Sequence, residues 1–238
     1  MDVLLRVKGL EKGQILRGIS FEMRSGELLG VMGPSGSGKS TLLYNVSGMD
    51  HADSGEVWIG DTDICALSED EKAALRLHRL GFVFQQMNVL SGLTILENIV
   101  YPAVWRQKKA KKGELNEKAR KLMEKLSIEG LETRKVTEVS GGQLQRACIC
   151  RSLMNDPQLI FADEPTGALN QSAAAEVMEV LERVHEEGTA ILMVTHDARV
   201  AAHCDRILYL LDGQIVGEFI NSDHSEQRVS QWLGSMGW

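Results

Sequence analysis

The feature that most constrains the fold of this chain is a glycine-rich stretch between a strand-like and a helix-like segment. It reads Gly33-Pro34-Ser35-Gly36-Ser37-Gly38-Lys39-Ser40 and fits the pattern GxxxxGK[ST]. The apolar run Leu28–Met32 precedes it, and the apolar run at residues 42–46 follows it. Glycines allow backbone N–H groups to approach a phosphate closely, and a helix N-terminus attracts anions. The order strand, loop and helix therefore predicts a phosphate-binding loop in which Lys39 reaches the terminal phosphates and Ser40 binds Mg²⁺.

Beyond this loop, strand-like and helix-like segments alternate. An apolar strand at residues 159–162, a helix at 173–184 and a strand at 190–195 follow one another. This order predicts a mostly parallel sheet that is covered by helices. Asp212-Gly213, between two apolar runs, is typical of a hairpin turn at a sheet edge. Further short strands are expected at residues 4–7, 19–23, 28–32, 56–59, 207–211 and 214–219.

The stretch from about residue 106 to residue 127 has a helical pattern instead. Its apolar side chains recur at three- and four-residue spacing, which predicts an amphipathic helix in a helical lobe. These apolar positions are Leu115, Ala119, Leu122, Met123 and Leu126. The stretch begins with a cluster of cations, Arg106, Lys108, Lys109, Lys111 and Lys112. The cluster is either a solvated helix face or a contact with an anionic membrane or partner.

The composition of the chain excludes several classes of protein. The 26 Lys and Arg residues against 33 Asp and Glu residues give a formal net charge of −7, which argues against a protein that wraps nucleic acid. Four cysteines without a CxxC pair indicate neither a zinc site nor a disulfide scaffold. The first residues lack the apolar core of a signal peptide, and no stretch approaches the roughly 18 to 20 apolar residues that span a bilayer. We therefore expect a cytoplasmic chain that reaches a membrane only through a partner.

Two adjacent carboxylates follow the apolar strand at residues 159–162. Such a pair on its own is usually a solvated strand end, but Asp163 and Glu164 share a chain with a phosphate loop. In proteins of that kind the first carboxylate supports Mg²⁺, and the second orients or deprotonates an attacking water. Since neighbouring residues on a strand point to opposite sides, we expect the two carboxylates to have different roles.

A second helix start with anion-binding character lies at Ser140-Gly141-Gly142-Gln143. The helical stretch that follows ends before Pro157. A serine at this place caps a helix, and the free N–H groups of the first turn can bind a phosphate. The pattern is compatible with a simple cap and with a second phosphate site, which need not serve the same nucleotide as the first.

In this order the motifs resemble those of the ATP-binding cassette (ABC) ATPases, over nearly the whole chain. They comprise the phosphate loop at 33–41, Gln85 after Phe82-Val83-Phe84, the signature at 139–146, the carboxylates at 159–164 and Thr195-His196-Asp197. Residues 95–99 and 162–167 look like the branch that includes lipoprotein-release, macrolide-export, division-associated and antimicrobial-peptide-resistance ATPases.

The resemblance implies an α/β P-loop NTPase fold with a mostly parallel core sheet, an N-terminal antiparallel β subdomain and an inserted α-helical signature subdomain. A single ABC ATPase domain would occupy residues 1–238. Its core and β lobe would comprise about residues 1–88 and 157–238, and its helical lobe with the signature about residues 89–156.

The resemblance also implies a role for each motif residue. Glu164 would be the general base, His196 the contact to the γ-phosphate and Gln85 the sensor of metal and water. Mg²⁺ would be held through Ser40, Gln85 and Asp163. Two chains would form a head-to-tail ATP sandwich. The ATP-binding residues would be Gly33, Pro34, Ser35, Gly36, Ser37, Gly38, Lys39, Ser40 and Thr41 of one chain and Ser140, Gly141, Gly142 and Gln143 of the other.

Two departures from the family pattern affect these expectations. Many members place an aromatic residue before the phosphate loop to stack on adenine, whereas residues 9–15 contain none. The segment after the carboxylates ends in Asn170, where the family commonly has Asp. Asn keeps the size and an acceptor but loses the charge. We therefore expect base stacking to be weak or to be supplied by another side chain, and we expect reduced communication between the two sandwiched sites.

The leading interpretation is an ATPase subunit at the cytoplasmic face of the membrane that drives a separate integral membrane permease. It would power export or membrane extraction of a peptide, lipoprotein or antimicrobial substrate. The permease would dock at the Gln85 loop and the lobe at about 89–127.

An alternative is a soluble cassette ATPase acting on nucleic acid or the ribosome, which the acidic charge and the absence of long insertions argue against. A small phosphate-loop kinase is disfavoured by the signature and His196.

Overall fold

The computed structural model of the chain describes residues 2–106 and 112–237. Its strands are β1 (Val3–Lys12), β2 (Leu16–Arg24), β3 (Leu28–Met32), β4 (Ser54–Ile59), β5 (Thr62–Asp63), β6 (Leu80–Phe84), β7 (Leu159–Asp163), β8 (Ala190–Val194), β9 (Arg206–Leu211) and β10 (Gln214–Ile220). Its α-helices are α1 (Lys39–Val46), α2 (Glu69–Arg79), α3 (Ile95–Arg106), α4 (Lys112–Lys125), α5 (Gly141–Leu153), α6 (Gln171–Glu186), α7 (Ala198–Ala201) and α8 (Glu226–Ser235).

The central sheet has six strands in the order β10-β9-β3-β8-β7-β6. All neighbouring pairs are parallel except β10 and β9, which form the hairpin predicted at Asp212-Gly213. Strands β3, β7 and β8 are buried at every position, as expected of parallel strands with both faces covered. The predicted α/β fold with a mostly parallel core sheet is confirmed.

An antiparallel sheet of four strands, in the order β2-β1-β4-β5, covers one face of the central sheet. The alternation of side chains along β7 shows how the two layers share the core. Phe161 packs into the cluster formed with the antiparallel sheet and α1, whereas Ile160 packs into the cluster on the other face. Each apolar strand of the central sheet therefore supports two hydrophobic layers.

The helices α3, α4 and α5 pack together as a helical lobe. The predicted amphipathic helix is present as α4, and Leu115, Ala119 and Met123 are buried as expected. The helix α3 was not predicted from the sequence, and it contains Pro102. The cation cluster expected at 106–112 falls largely outside the described residues, because Lys108, Lys109 and Lys111 are not among them.

In the described parts of the chain, no helix is both long enough and apolar enough to cross a lipid bilayer.

A buried amide connects the end of the central sheet to α8. Asn221 is fully buried, and its Nδ2 donates to the carbonyl oxygens of Ala202 at 2.8 Å and Cys204 at 3.0 Å. Its Oδ1 accepts from the N–H of Ser225, the N-cap of α8, at 3.3 Å. The side chain therefore satisfies three backbone groups, and it fixes where α8 begins.

Replacing this amide should destabilise the fold. Asn221→Ala is expected to lower the free energy of unfolding by about 2 kcal/mol, because two buried carbonyls lose their donor. Urea denaturation measures the change. Ser222→Ala, at the exposed neighbouring position, is the matched control and should change stability by less than about 0.5 kcal/mol. Equal stability of the two variants would show that Asn221 does not hold α8.

Candidate active site

The phosphate loop connects the end of β3 to the start of α1 and lies close against β9. A Cβ on Gly33 would sit 2.0 Å from the carbonyl oxygen of Leu210 and 2.7 Å from Ser37 Oγ. Gly38, the N-cap of α1, has φ +103°, a left-handed conformation that disfavours other residues. Both glycines are therefore required by local geometry. Thr41 follows within the first turn of α1.

Lys39 is the first residue of α1, and its side chain folds back over the loop. Its Nζ donates to the carbonyl oxygens of Gly33 at 2.7 Å and Pro34 at 2.9 Å. Burial lowers the pKa of Lys39, and the nearby carboxylates of Glu164 and Asp163 oppose this shift. The ammonium group is thus held in the middle of the loop, where a bound phosphate would meet it.

Asp163 ends β7 and faces α1. Its Oδ1 accepts from Ser40 Oγ at 3.0 Å, and its Oδ2 accepts from the hydroxyl of Tyr44 at 2.8 Å. Burial, followed by the hydrogen bond to Asp163, raises the pKa of Tyr44 to about 12, so the phenol remains a donor at neutral pH. Hydroxyl and carboxylate oxygens are the ligands that Mg²⁺ prefers. The donor set at Ser40 and Asp163 fits this ion.

Glu164 comes directly after β7 and turns away from Asp163. Its Oε1 lies 2.8 Å from Nδ1 of His196, which follows β8. The Glu164 side chain is 15% exposed and the His196 side chain 62%. The two carboxylates therefore have different hydrogen-bond partners. Strand alternation does not explain this difference, because the strand ends at Asp163 and Glu164 has φ +47°.

A cavity of about 610 Å³ brings several of the predicted residues together. Pro34, Ser35 and Lys39 of the phosphate loop line it together with Glu164 and His196. The other walls come from the end of β9 and from the segment after α8, and they comprise Tyr209, Leu211, Met236 and Gly237. The lysine of the phosphate loop, a carboxylate and an imidazole thus line one open cavity.

Gln85 lies at the exposed end of β6, beside the loop that follows the two carboxylates. A Cβ on Gly167 would be 2.9 Å from Gln85 Nε2. The contact shows that Gln85 packs directly on that loop. It does not line the cavity described above.

The residues 140–143 form the start of α5, with Ser140 as its N-cap. Ser140 Oγ accepts from the N–H of Gln143 at 3.2 Å, and Gln143 Oε1 accepts from the N–H of Ser140 at 2.9 Å. This is a capping box. A Cβ on Gly142 would be 3.0 Å from Cβ of Ala173 in α6. Among the described residues that line the 610 Å³ cavity, none comes from 140–143.

Asn170 is the N-cap of α6, and its Oδ1 accepts from the N–H of Ala173 at 2.9 Å. Asn and Asp are about equally good caps. The change from Asp therefore preserves this local role while removing a charge.

Three residues that shape this region were not predicted from the sequence. Tyr44 follows Ser40 by four positions on α1, so helical periodicity alone places both on one face. Gln145 is buried, and its Nε2 donates to the carbonyl oxygens of Phe84 at 3.2 Å and Pro165 at 2.8 Å, which joins α5 to the end of β6 and to the loop after β7. Ile15 is 48% exposed, and its Cγ2 would lie 3.2 Å from a Cβ on Gly38. An aliphatic side chain thus lies beside the phosphate loop, in a segment that lacks aromatic residues.

Comparison with known proteins identifies the class. The sequence pattern of the ABC transporter family matches residues 16–167. The chain belongs to this family, and it is an ATPase. The dimeric structure of a post-hydrolysis state of an ATP-binding cassette, bound to ADP and phosphate, has a TM-score of 0.83 and 34% identity, covering 92% of this chain and 99% of that one.

The chain is also similar to curated export proteins. It is 42% identical over 210 residues to the macrolide export ATP-binding/permease protein MacB of Neisseria gonorrhoeae, covering 88% of this chain and 32% of that protein. It is 39% identical to a probable syringafactin export ATP-binding/permease protein of Pseudomonas syringae pv. syringae, with coverages of 87% and 32%. The chain spans about a third of the length of these relatives. The resemblance to the ABC ATPases and the expected ATP hydrolysis are confirmed.

The close packing of Gly33 against β9 leads to a prediction. Gly33→Ala is expected to weaken ATP binding at least about tenfold, or ~1.4 kcal/mol, because the new Cβ forces the loop away from Leu210. Titration with a fluorescent ATP analogue measures the affinity. Gly92→Ala, where a Cβ would meet nothing within 4 Å, is the control. Unchanged affinity in Gly33→Ala would show that the loop tolerates displacement.

Proposed function

We propose that this chain powers an integral membrane permease by hydrolysing ATP at the site formed by Lys39, Glu164 and His196. The shared cavity of these three side chains is the observation that carries the proposal. The curated relatives, which are named as ATP-binding and permease proteins, support the link to a permease. The work of the chain is therefore to convert ATP hydrolysis into a change of shape that the permease uses.

The phosphate loop would bind ATP through its backbone N–H groups and Lys39. The side chains that fit a magnesium ion are Ser40 and Asp163, with Gln85 as a further ligand or sensor. When bound, Mg²⁺ neutralises phosphate charge. Lys39 supplies a second, fixed positive charge, and the N-terminus of α1 contributes its dipole. The chain's own residues thus orient the phosphates before any bond is broken.

Hydrolysis requires removal of a proton from the attacking water. Glu164 is proposed as the base, since its carboxylate projects into the cavity that Lys39 lines. His196 holds Glu164 Oε1 at 2.8 Å through Nδ1. The imidazole thereby orients the carboxylate, and its exposed edge is available for the γ-phosphate. General base catalysis of this kind contributes about 10²- to 10⁴-fold.

The segment 140–143 is proposed to act across a dimer. It does not line the cavity that contains the phosphate loop of its own chain, and the N–H groups of Gly141 and Gly142 lie in the first turn of α5, where they have no partner within the helix. A second copy, placed head to tail, would bring these groups to the γ-phosphate of the first. The dimeric state of the similar ADP- and phosphate-bound cassette supports this arrangement.

Permease docking is proposed at a groove of about 390 Å³ between the helical lobe and the central sheet. Phe82 and Phe84 of β6 lie on one side, and Tyr101 of α3 lies on the other. Beside it, Tyr101, Val104 and Trp105 expose 45%, 50% and 58% of their surface. Exposed aromatic groups next to a groove are typical of a protein interaction site. Since β6 leads directly to Gln85, an occupant would lie close to the ATP site.

The location of the chain, the direction of transport and the class of substrate belong to the same proposal. A chain that docks on a permease would lie at the cytoplasmic face of the membrane, where ATP is available. Export or membrane extraction is the proposed direction, in line with the macrolide and syringafactin export named for the relatives. A peptide, lipoprotein or antimicrobial compound is the proposed class of substrate. No nucleic acid is expected as a partner, because the chain is acidic.

The proposed base gives a first test. Glu164→Gln should reduce ATP hydrolysis by about 10²-fold or more, while ATP binding persists and ATP drives dimer formation. Phosphate release and light scattering measure these properties. Glu179→Gln, on the exposed face of α6, is the matched control with wild-type turnover. Wild-type turnover in Glu164→Gln would exclude this base, and a chain that stays monomeric with ATP would contradict the sandwich.

The docking groove gives a second test. A photo-crosslinking amino acid at Trp105 is expected to capture a polytopic membrane protein in cells, and mass spectrometry identifies the product. The same amino acid at Ile220, an exposed residue at the edge of the central sheet, is the control. If the Trp105 position captures only water-soluble proteins, or the same ones as Ile220, the permease proposal is wrong.

A further inference from the structure

Both oxygens of the Asp163 carboxylate are held by one helix. Ser40 donates to Oδ1 at 3.0 Å, and Tyr44 donates to Oδ2 at 2.8 Å. The two donors are four residues apart on α1, so they lie one helical turn apart on the same face. Their separation is set by the helix itself. The carboxylate therefore connects two hydroxyl groups whose spacing the helix fixes.

The burial of Asp163 makes this bridge important. The residue is 7% exposed, and a buried carboxylate is costly unless its oxygens are paired. Over the described residues, the side-chain hydrogen bonds to Asp163 come from Ser40 and Tyr44. With a donor on Oδ1 alone, the carboxylate would be free to rotate about its Cβ–Cγ bond. The second donor on Oδ2 fixes the plane of the group.

We propose that Tyr44 is a positioning residue for the magnesium ion. It acts through Asp163, by holding Oδ2 so that Oδ1 stays directed at Ser40. This inference rests on the proposed magnesium role of Ser40 and Asp163. Tyr44 is absent from the walls of the cavity that contains Lys39, Glu164 and His196. Its contribution is therefore separate from phosphate binding by the loop and from the base.

Tyr44 holds an oxygen of Asp163 that Ser40 does not reach. A hydroxyl that coordinates Mg²⁺ through a lone pair keeps its proton, so Ser40 would still donate to Oδ1 when the metal is bound. Tyr44 is the described side-chain donor to Oδ2. Groups that orient metal ligands in this way typically change metal affinity about 10- to 100-fold when they are removed.

The test measures magnesium dependence apart from turnover. In the hydrolysis-deficient Glu164→Gln protein, binding of a fluorescent ATP analogue is titrated with MgCl₂, and its affinity is measured separately in EDTA. Adding Tyr44→Phe should raise the half-saturating Mg²⁺ concentration about tenfold. The affinity in EDTA should stay within about twofold, because Lys39 and the loop amides are unchanged. Trp58→Phe, which removes a donor to the exposed Glu56 carboxylate on β4, is the control and should change neither value.

A double-mutant cycle shows whether Tyr44 acts through Asp163. Asp163→Ala removes the carboxylate, so Tyr44→Phe should then have no further effect on the Mg²⁺ titration. The inference is overturned if Tyr44→Phe leaves the Mg²⁺ midpoint within about twofold of its parent. It is equally overturned if the effect persists in Asp163→Ala, or if binding in EDTA weakens as much as binding in Mg²⁺.

Two further outcomes distinguish a wrong role for Tyr44 from a misfolded variant and from a wrong metal site. If Tyr44→Phe does not fold, as judged by its thermal transition, Tyr44→Leu is put through the same titration and the same criteria apply. If ATP binding to the parent protein does not respond to Mg²⁺ at all, the proposed metal role of Ser40 and Asp163 is wrong, and the Tyr44 inference is lost with it. If the parent responds to Mg²⁺ and Tyr44→Phe leaves its Mg²⁺ midpoint unchanged, the Tyr44 inference alone is contradicted.

Discussion

The hydrogen-bond register of the parallel strands is the constraint on which the whole site depends. Val31 is opposite Val194, Val194 is opposite Asp163, and Asp163 is opposite Phe84. Because parallel strands run in step, the residues that follow these four emerge at the same edge of the sheet. Glu164 and Gln85 are the next residues after Asp163 and Phe84, and His196 and the phosphate loop begin two residues after Val194 and Val31. A slip of one residue in β7 would turn Asp163 to the other face of the sheet and away from α1.

The net charge of −7 does not conflict with binding a polyanion. Global charge governs encounters over long distances, whereas the site works through charges and dipoles at contact distance. Lys39 lies within the loop, and the N-terminus of α1 adds its dipole. The two carboxylates beside Lys39 would repel a phosphate group. A divalent cation would remove this conflict, and the oxygen donors of Ser40 and Asp163 fit one.

Short-range patterns in the sequence predicted most of the central sheet and the phosphate loop. Glycine spacing and apolar runs identify such features because each depends on neighbouring residues. Features that depend on distant contacts were missed. The helix α3 has β-branched residues and Pro102, so its stability comes from packing in the helical lobe and not from propensity. The hydrogen bonds of Gln145 to Phe84 and Pro165 span 61 and 20 residues of sequence, and no local pattern encodes them.

The different directions of the two carboxylates have a cause that strand alternation does not contain. Alternation along a strand predicts opposite directions for Asp163 and Glu164, but the strand ends between them and Glu164 takes a left-handed backbone conformation. That conformation is uncommon for a residue other than glycine, and it stores a small amount of strain at a functional site. Asp163, at the end of the strand, accepts hydrogen bonds from Ser40 and Tyr44 of α1. Glu164 instead pairs with His196, which is exposed and lies in the loop between β8 and α7. On the proposed roles, the side chain that supports the metal belongs to a rigid element. The proposed base depends on an exposed histidine in a loop, so a contact with this loop would change the orientation of Glu164 and leave the phosphate loop in place.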